Sequence, residues 1–393
     1  LSEYNYPTNQ LRAVWVTVFA SDISGYTSEA QFKQMMNNVL DDMDKMGMNA
    51  IVFHVRTHNN ALYKSSLNPL ASWWSEVDFD VFDPLEWLIN ACHQRGIEFH
   101  AWLNPYRISG DGSNSQYVAE ALPAVNPAND ENNLIKVGNN VIFDPGIPEV
   151  RSFIVDTCME LIENYDVDAI HFDDYFYLEG TTSSDLENTN FVGKGTYTKS
   201  GIDIMNDWPN YYEYLDDPQN YGKDVFGENG IYGMEAGLNL GDFRRENINI
   251  MMRNIRKAID EYNEKTGKCV EFGSKPAAVW RSNSEYCSAG STRCSENGSN
   301  TAEYAYSTYS DLYADSLKWV EEGLVDWVAP QVYYAFEDPY APYADVVDWW
   351  AEQVTRINAI RQEEGKKDIR LYIAHGIYKY RDNPDQFYRS IEI

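Results

Sequence analysis

Asp173 and Asp174 are adjacent carboxylates that close the apolar run Asp168-Ala169-Ile170-His171-Phe172, and Tyr175, Phe176 and Tyr177 follow them directly. Two carboxyl groups this close can divide the work of acid and base, because like charges side by side raise the pKa of one of them. The plainer reading is that Asp174 caps a helix or that the pair is merely solvated. What speaks against it is the company the pair keeps at the ends of other apolar runs. His54 and Arg56 end one run, and Trp102, Asn104, Tyr106 and Arg107 end the next. Trp280 and Arg281, then Gln331 and Tyr333, then His375 follow later runs, and Asp242 opens a long helical stretch. Any one of these could be a satisfied core residue, but their repetition at run after run points to a single rim.

The elements that must position them alternate between strand and helix. Leu11–Val18 is expected as a first strand, followed by a helix from Glu29 to Met46 with Phe32, Met35, Met36, Val39, Leu40, Met43 and Met46 on one stripe and Gly47 as its stop. Ala50–Arg56 is a second strand. Pro84 opens a helix that carries Leu85, Leu88, Ile89 and Cys92 on one face, and Gly96 closes it. Ile97–Leu103 is a third strand, and a helix from about Pro148 leads to the fourth, which ends in the acid pair. Asp242 is expected to cap a helix running to Tyr262, before a fifth strand at Cys269–Ser274. A helix at Leu312–Glu322 precedes a sixth strand at Val325–Tyr334, and Ile369–Gly376 is a seventh. No glycine-rich phosphate loop follows the first strand, whereas polar and aromatic groups gather after the second to the seventh. That pattern suits the mouth of a TIM-like (β/α)8 barrel better than a doubly wound sheet. The eighth strand is not evident, and 1–393 reads as one elaborated barrel domain, with 178–241 as an ordered insertion after strand four.

Composition narrows the substrate. The chain has 393 residues with 31 Lys plus Arg against 61 Asp plus Glu, a formal net charge of -30, which repels nucleic acid and anionic membrane surfaces. Aromatics make up 14% of residues, including 29 Tyr and 11 Trp. Amphipathic rings on a wet rim suit the apolar faces of sugars, so a glycan is the expected partner. Insertion aromatics Trp208, Tyr211, Tyr212, Tyr214, Tyr221 and Tyr232 are expected to wall the cleft. No apolar run is long enough to span a membrane, and a monomer is expected. Leu1-Ser2-Glu3-Tyr4 lacks the features of a signal peptide, so any such peptide is absent from this chain. Cys92 and Cys158 fall on apolar helix faces, while Cys287 and Cys294 flank a Ser/Gly/Thr-rich loop that could close as a disulfide in an oxidising compartment. His54, His171 and His375 do not form the ligand clusters of a metal-dependent deacetylase, and neither metal nor cofactor is expected.

Several of these stretches carry a resemblance. His100-Ala101-Trp102-Leu103-Asn104-Pro105-Tyr106-Arg107, Asp144-Pro145-Gly146 with Pro148-Glu149-Val150-Arg151, Asp168 to Tyr177, and Ala329-Pro330-Gln331-Val332-Tyr333 resemble a bacterial glycoside-hydrolase-like family first catalogued as a domain of unknown function. Asp242-Phe243-Arg244-Arg245 with Asn247 is similar to a further family motif, which usually has Trp where Phe243 stands. The resemblance implies a TIM-like barrel, a cell-envelope or secreted location, and in some members cleavage of peptidoglycan glycan strands stripped of their peptides. The family has a further strand near the C-terminus that is not evident here.

Glycosidases commonly place two carboxyls about 5 to 9.5 Å apart across the scissile bond, a span that adjacent residues rarely cover. Substrate-assisted enzymes acting on N-acetylhexosaminides differ, since the substrate's acetamide is the nucleophile. Asp173 is therefore assigned to orient the acetamide and Asp174 to act as general acid and base. The competing scheme makes one of them a nucleophile, with Asp242 or Glu337 as the acid, on another cell-surface or dietary polysaccharide. A non-catalytic carbohydrate-binding barrel is the remaining alternative.

Overall fold

The computed structural model describes residues 10–17, 25–109, 122–137, 140–178, 198–199, 202–203 and 207–392. Seven strands form one parallel sheet in chain order: β1 (Ala13–Val16), β2 (Ala50–Arg56), β3 (Glu98–Leu103), β4 (Ala169–Phe172), β5 (Glu271–Ser274), β6 (Trp327–Val328) and β7 (Arg370–Leu371). A helix follows each: α1 (Glu29–Met46), α2 (Pro84–His93), α3 (Pro148–Asn164), α4 (Leu240–Thr266), α5 (Ser316–Glu322), α6 (Tyr343–Glu363) and α7 (Pro384–Glu392). Helix α1 has the expected bounds because both ends are signalled locally. The Ser28 side chain accepts from the Gln31 amide, and Gly47 takes the left-handed conformation at φ 67°.

The sheet is curled into a TIM-like barrel, as contacts between strands that are not neighbours make plain. Trp15 of β1 donates its indole N–H to His171 of β4 at 3.4 Å, although a flat sheet would hold those strands about 14 Å apart. Strand residues alternate: Phe53, Phe99, Phe172 and Phe272 face the helices, while His100, Trp102, His171 and Trp327 face inward. Inside, Trp327 lies 5.0 Å from His171 and 5.6 Å from His100 between ring centroids. Gly273 of β5 makes room for it, since a Cβ there would sit 2.0 Å from the Trp327 ring. Among the described residues no eighth strand is present, and no helix is long and apolar enough to cross a membrane.

Three expectations change in detail. Helix α4 is capped by Asn239, whose side chain accepts from the Asp242 amide, so Asp242 stands in the first turn. The segment expected as a helix from Leu312 to Glu322 begins its helix only at Ser316, because Tyr313 adopts φ 49°. The sixth and seventh strands keep two ladder residues each, with the Gln331 region continuing as isolated bridges to Ala277 and Ala374 beyond Pro330. Cys287 and Cys294 are joined as a disulfide, and Cys92 and Cys158 are buried.

The insertion after strand four is described only in part; the expectation of order over 179–197, 200–201 and 204–206 lies outside the described residues. From Asp207 onward it is folded around its own small core, where Tyr214, Tyr221, Met234 and Leu240 pack on Phe243 and Ile250 of α4. The hydroxyls of Tyr211, Tyr214 and Tyr221 donate to the carbonyls of Leu238, Glu235 and Gly146. These rings are therefore spent on holding the insertion, and the side chain of Trp208 lies outside the described residues.

Candidate active site

Parallel register brings the acid pair together with a lysine. Phe172 pairs with Ser274, so the next residues along, Asp173 and Lys275, stand side by side, and the Lys275 amide donates to the Phe172 carbonyl at 2.7 Å. Both side chains point into the barrel mouth, both are buried, and Lys275 Nζ lies 3.3 Å from Asp173 Oδ1. Gln331 donates its side-chain amide to the same Asp173 oxygen at 3.1 Å and to the Lys275 carbonyl at 3.0 Å. Lys275 Nζ also lies 5.3 Å from the Trp15 ring and 5.1 Å from the Trp102 ring, which wrap it in aromatic faces. Burial opposes the ammonium charge, but Asp173, Tyr333 and Asp174 outweigh it and raise the lysine's pKa.

Asp174, the residue after Asp173, is half-buried. Burial first, and then the neighbouring and hydrogen-bonded Asp173, push its carboxyl up to about 8, with Lys275 pulling the other way. Next to it Tyr175 is 45% exposed, and the Arg107 guanidinium sits 4.3 Å over its ring. Trp102 stacks flat on His54 at 3.7 Å between centroids. Burial, then the charges of His58, Lys275 and Arg107, push the His54 pKa well below the ordinary imidazole range. His54 thus reads as a neutral plate beneath the site. It stands four residues before His58, but that ring meets the Thr57 hydroxyl at 2.9 Å, and no metal-holding group of three His, Cys, Asp or Glu occurs among the described residues.

The mouth thus gathers Asp173, Asp174, Tyr175, Arg107, Trp102, Gln331 and Tyr333 around Lys275, with His54 below. Other sequence-selected residues lie elsewhere. Arg56 is fully enclosed and donates to the carbonyls of Asn104 and Pro105 at 2.7 and 3.0 Å. Asn104 donates to the Thr57 carbonyl, and the enclosed Tyr106 hydroxyl meets Met251 Sδ at 2.9 Å, so these three shape the loops behind the site. Trp280, Arg281 and Asp242 form a second cluster around Tyr309: Arg245 and Arg281 lie 3.8 and 4.3 Å from its ring, Arg245 pairs with Asp242 at 2.9 Å, and Trp280 donates to Asp315. His375 packs on Tyr343 and on Phe387 of α7. Glu337, the alternative acid, is tied to Arg389 at 2.7 Å, and the hydrogen bond from Arg389 lowers its pKa, the wrong direction for a proton donor.

Lys275 and Trp15 were not singled out from the sequence. A lysine after an apolar strand reads as a solvated end, and its only local signal is a position two residues beyond Gly273 on the inward face. Also unforeseen is a buried network behind the site, where Asp207 accepts two bonds of 2.7 Å from Arg244. There Asp144 accepts from Asn210 at 2.5 Å, and burial, then Asp207, push its carboxyl up to about 7.

The chain is a parallel TIM-like barrel whose mouth holds an adjacent acid pair beside an exposed tyrosine ring. Residues 10–368 match the family described as glycosyl hydrolase-like 10, and the chain belongs to that family. Glycosyl hydrolase YngK of Bacillus subtilis (strain 168) is 31% identical over 402 residues, covering 98% of this chain and 65% of that protein. Glycosyl hydrolase DigH of Escherichia coli (strain K12) is 30% identical over 380 residues, covering 94% of this chain and 71% of that protein. Among solved structures, the catalytic domain of a beta-amylase from Paenibacillus polymyxa aligns with a TM-score of 0.47 at 10% identity, over 96% of this chain and 89% of that one.

Proposed function

We propose that the protein hydrolyses glycosidic bonds in a glycan containing N-acetylhexosamine, with peptidoglycan strands lacking stem peptides as its substrate, by substrate-assisted retaining catalysis. The observation that carries this reading is the unequal environment of the two carboxyls: Asp173 is gripped by Lys275 and Gln331, while the Asp174 carboxyl is pushed up to about 8. At neutral pH Asp174 then holds the proton needed by the departing glycosidic oxygen. The acetamide carbonyl oxygen of the substrate attacks C1 as that bond breaks, and Asp173 accepts a hydrogen bond from the acetamide N–H as positive charge spreads over the new ring. Asp174, now a carboxylate, takes a proton from the water that reopens the ring, so configuration is retained. Adjacent residues whose carboxyls raise one another's proton affinity are not placed across a sugar ring as a nucleophile and a facing acid would be, which favours the substrate-assisted scheme. Tyr175, which is exposed, supplies a ring face for the sugar, while Trp102 is buried between His54 and Lys275.

The Cys287–Cys294 bridge supports a site of action outside the cytoplasm, at the cell envelope or beyond it. Purified glycan strands, with and without stem peptides, should be digested and the products weighed by mass spectrometry, with the first-formed anomer read by proton NMR. The expected result is cleavage of peptide-free strands with retention, blocked by a thiazoline mimic of the cyclised acetamide. Inverted product, or retention untouched by the thiazoline, would overturn the mechanism. Glycan binding without any cleavage would point to a carbohydrate-binding barrel.

A further inference from the structure

We propose that Lys275 is the positioning residue that divides the labour of the acid pair, fixing Asp173 as the carboxylate and leaving the shared proton on Asp174. The inference rests on the functional reading above and gives the lysine there a specific part, deciding which of the two carboxyls keeps the proton. Two adjacent aspartates are chemically equivalent until something distinguishes them, and the ammonium does so by geometry. It meets Asp173 at 3.3 Å from the next strand at the same register level, with both side chains buried.

The other groups facing Lys275 do not compete for that part. Trp15 and Trp102 present ring faces from β1 and β3, which exclude water and hold the stem. His54 of β2 and His171 of β4 are held toward the neutral form, by burial first and by Lys275 among their neighbours. Tyr333, beyond β6, is kept toward its protonated phenol by burial, with Lys275 pulling the other way. Gln331 adds a second donor to Asp173 but no charge. The arrangement is therefore one ammonium paired with one of two carboxyls, while the Arg107 guanidinium lies over the ring of neighbouring Tyr175. An apolar residue of similar length would fill the space between the indoles without the cost of burying a charge, so packing alone does not account for a lysine here.

The test compares Lys275→Met, which keeps the stem, with Lys275→Arg, which keeps the charge; folding of each is checked by melting. Without the cation both carboxyls bind protons more tightly. Both limbs of the pH profile of kcat/KM on peptide-free glycan should then move to higher pH by about one unit, a tenfold change in each ionisation, in the Met variant. They should stay near the wild-type positions in the Arg variant. A Met variant that is slower but has unmoved limbs would reduce Lys275 to a structural role and overturn the proposal. Should Lys275→Met not fold, Lys275→Gln gives the same reading.

Infrared titration of the protonated carboxyl band, assigned by its loss in Asp174→Asn, needs no substrate and separates the two claims. A band that titrates at higher pH without the lysine upholds the proposal even if no glycan is cleaved. A band that titrates unchanged overturns it even if cleavage with retention upholds the glycosidase.

Discussion

Asp174 holds a proton that its surroundings make costly to release, and this has consequences for stability as well as rate. Its folded pKa, raised first by burial and then by Asp173 to about 8, lies above the value of an aspartate in an unfolded chain, about 3.9. A carboxyl raised in this sense favours the fold while protonated, and its contribution is lost as pH climbs from near 4 through about 8. Asp174→Asn carries no charge at any pH and escapes that loss. We expect turnover to fall by orders of magnitude while the melting temperature, relative to wild type, improves between about pH 5 and about pH 8. A stability difference that stays constant across that interval would show that Asp174 does not titrate there. The acid pair was legible in the sequence because an apolar run delivered it to a strand end with aromatics beside it. Lys275 was not, because what makes it unusual is supplied by Trp15 and Trp102, some 260 and 170 residues away along the chain.

At the level of elements, the folded part of the insertion is held to the barrel by a buried ion pair, by a small core on α4 and by hydrogen bonds such as those from Tyr221 to Gly146 and from Asn210 to Asp144. Arg244 of α4 and Asp207 are both enclosed and joined by two bonds, and Arg244 also lies 4.7 Å over the Tyr313 ring. Removing one member leaves the other charged and unpaired, which typically costs about 3–5 kcal/mol, whereas removing both is far milder. Arg244→Met should therefore lower the denaturant midpoint sharply, and Arg244→Met combined with Asp207→Asn should recover much of the loss. Equal losses in the single and double variants would mean that the pair does not couple the insertion to α4. Composition alone suggested that the insertion's tyrosines wall the cleft. Their burial on Phe243 could not be read locally, because the receiving surface belongs to a helix that begins only at Leu240. Helix α1 was legible to the residue for the opposite reason: Ser28, the apolar stripe and Gly47 all lie within its own stretch.

Across the whole molecule the dominant fact is charge, a formal -30 spread over 393 residues. Such a surface repels anions over the Debye length, which shrinks from about 30 Å at 0.01 M salt to about 8 Å at 0.15 M. Among the described residues Lys275 meets Asp173 and Arg107 lies over the Tyr175 ring, but Lys275 is already matched by Asp173, so a carboxylate-bearing glycan approaches against a net opposing field. Peptidoglycan stripped of its stem peptides carries one such carboxylate on every second sugar, whereas a plain polymer of N-acetylglucosamine carries none. We therefore expect KM for the charged strand to fall several-fold as salt rises over that range, with kcat little changed because Lys275 and Asp173 are buried and screened little by salt. KM for neutral chitin-type oligomers should stay level in the same titration. A KM for charged strands that rises with salt would show instead that cations at the mouth attract the substrate, and the search for its anchor would then turn to Arg107.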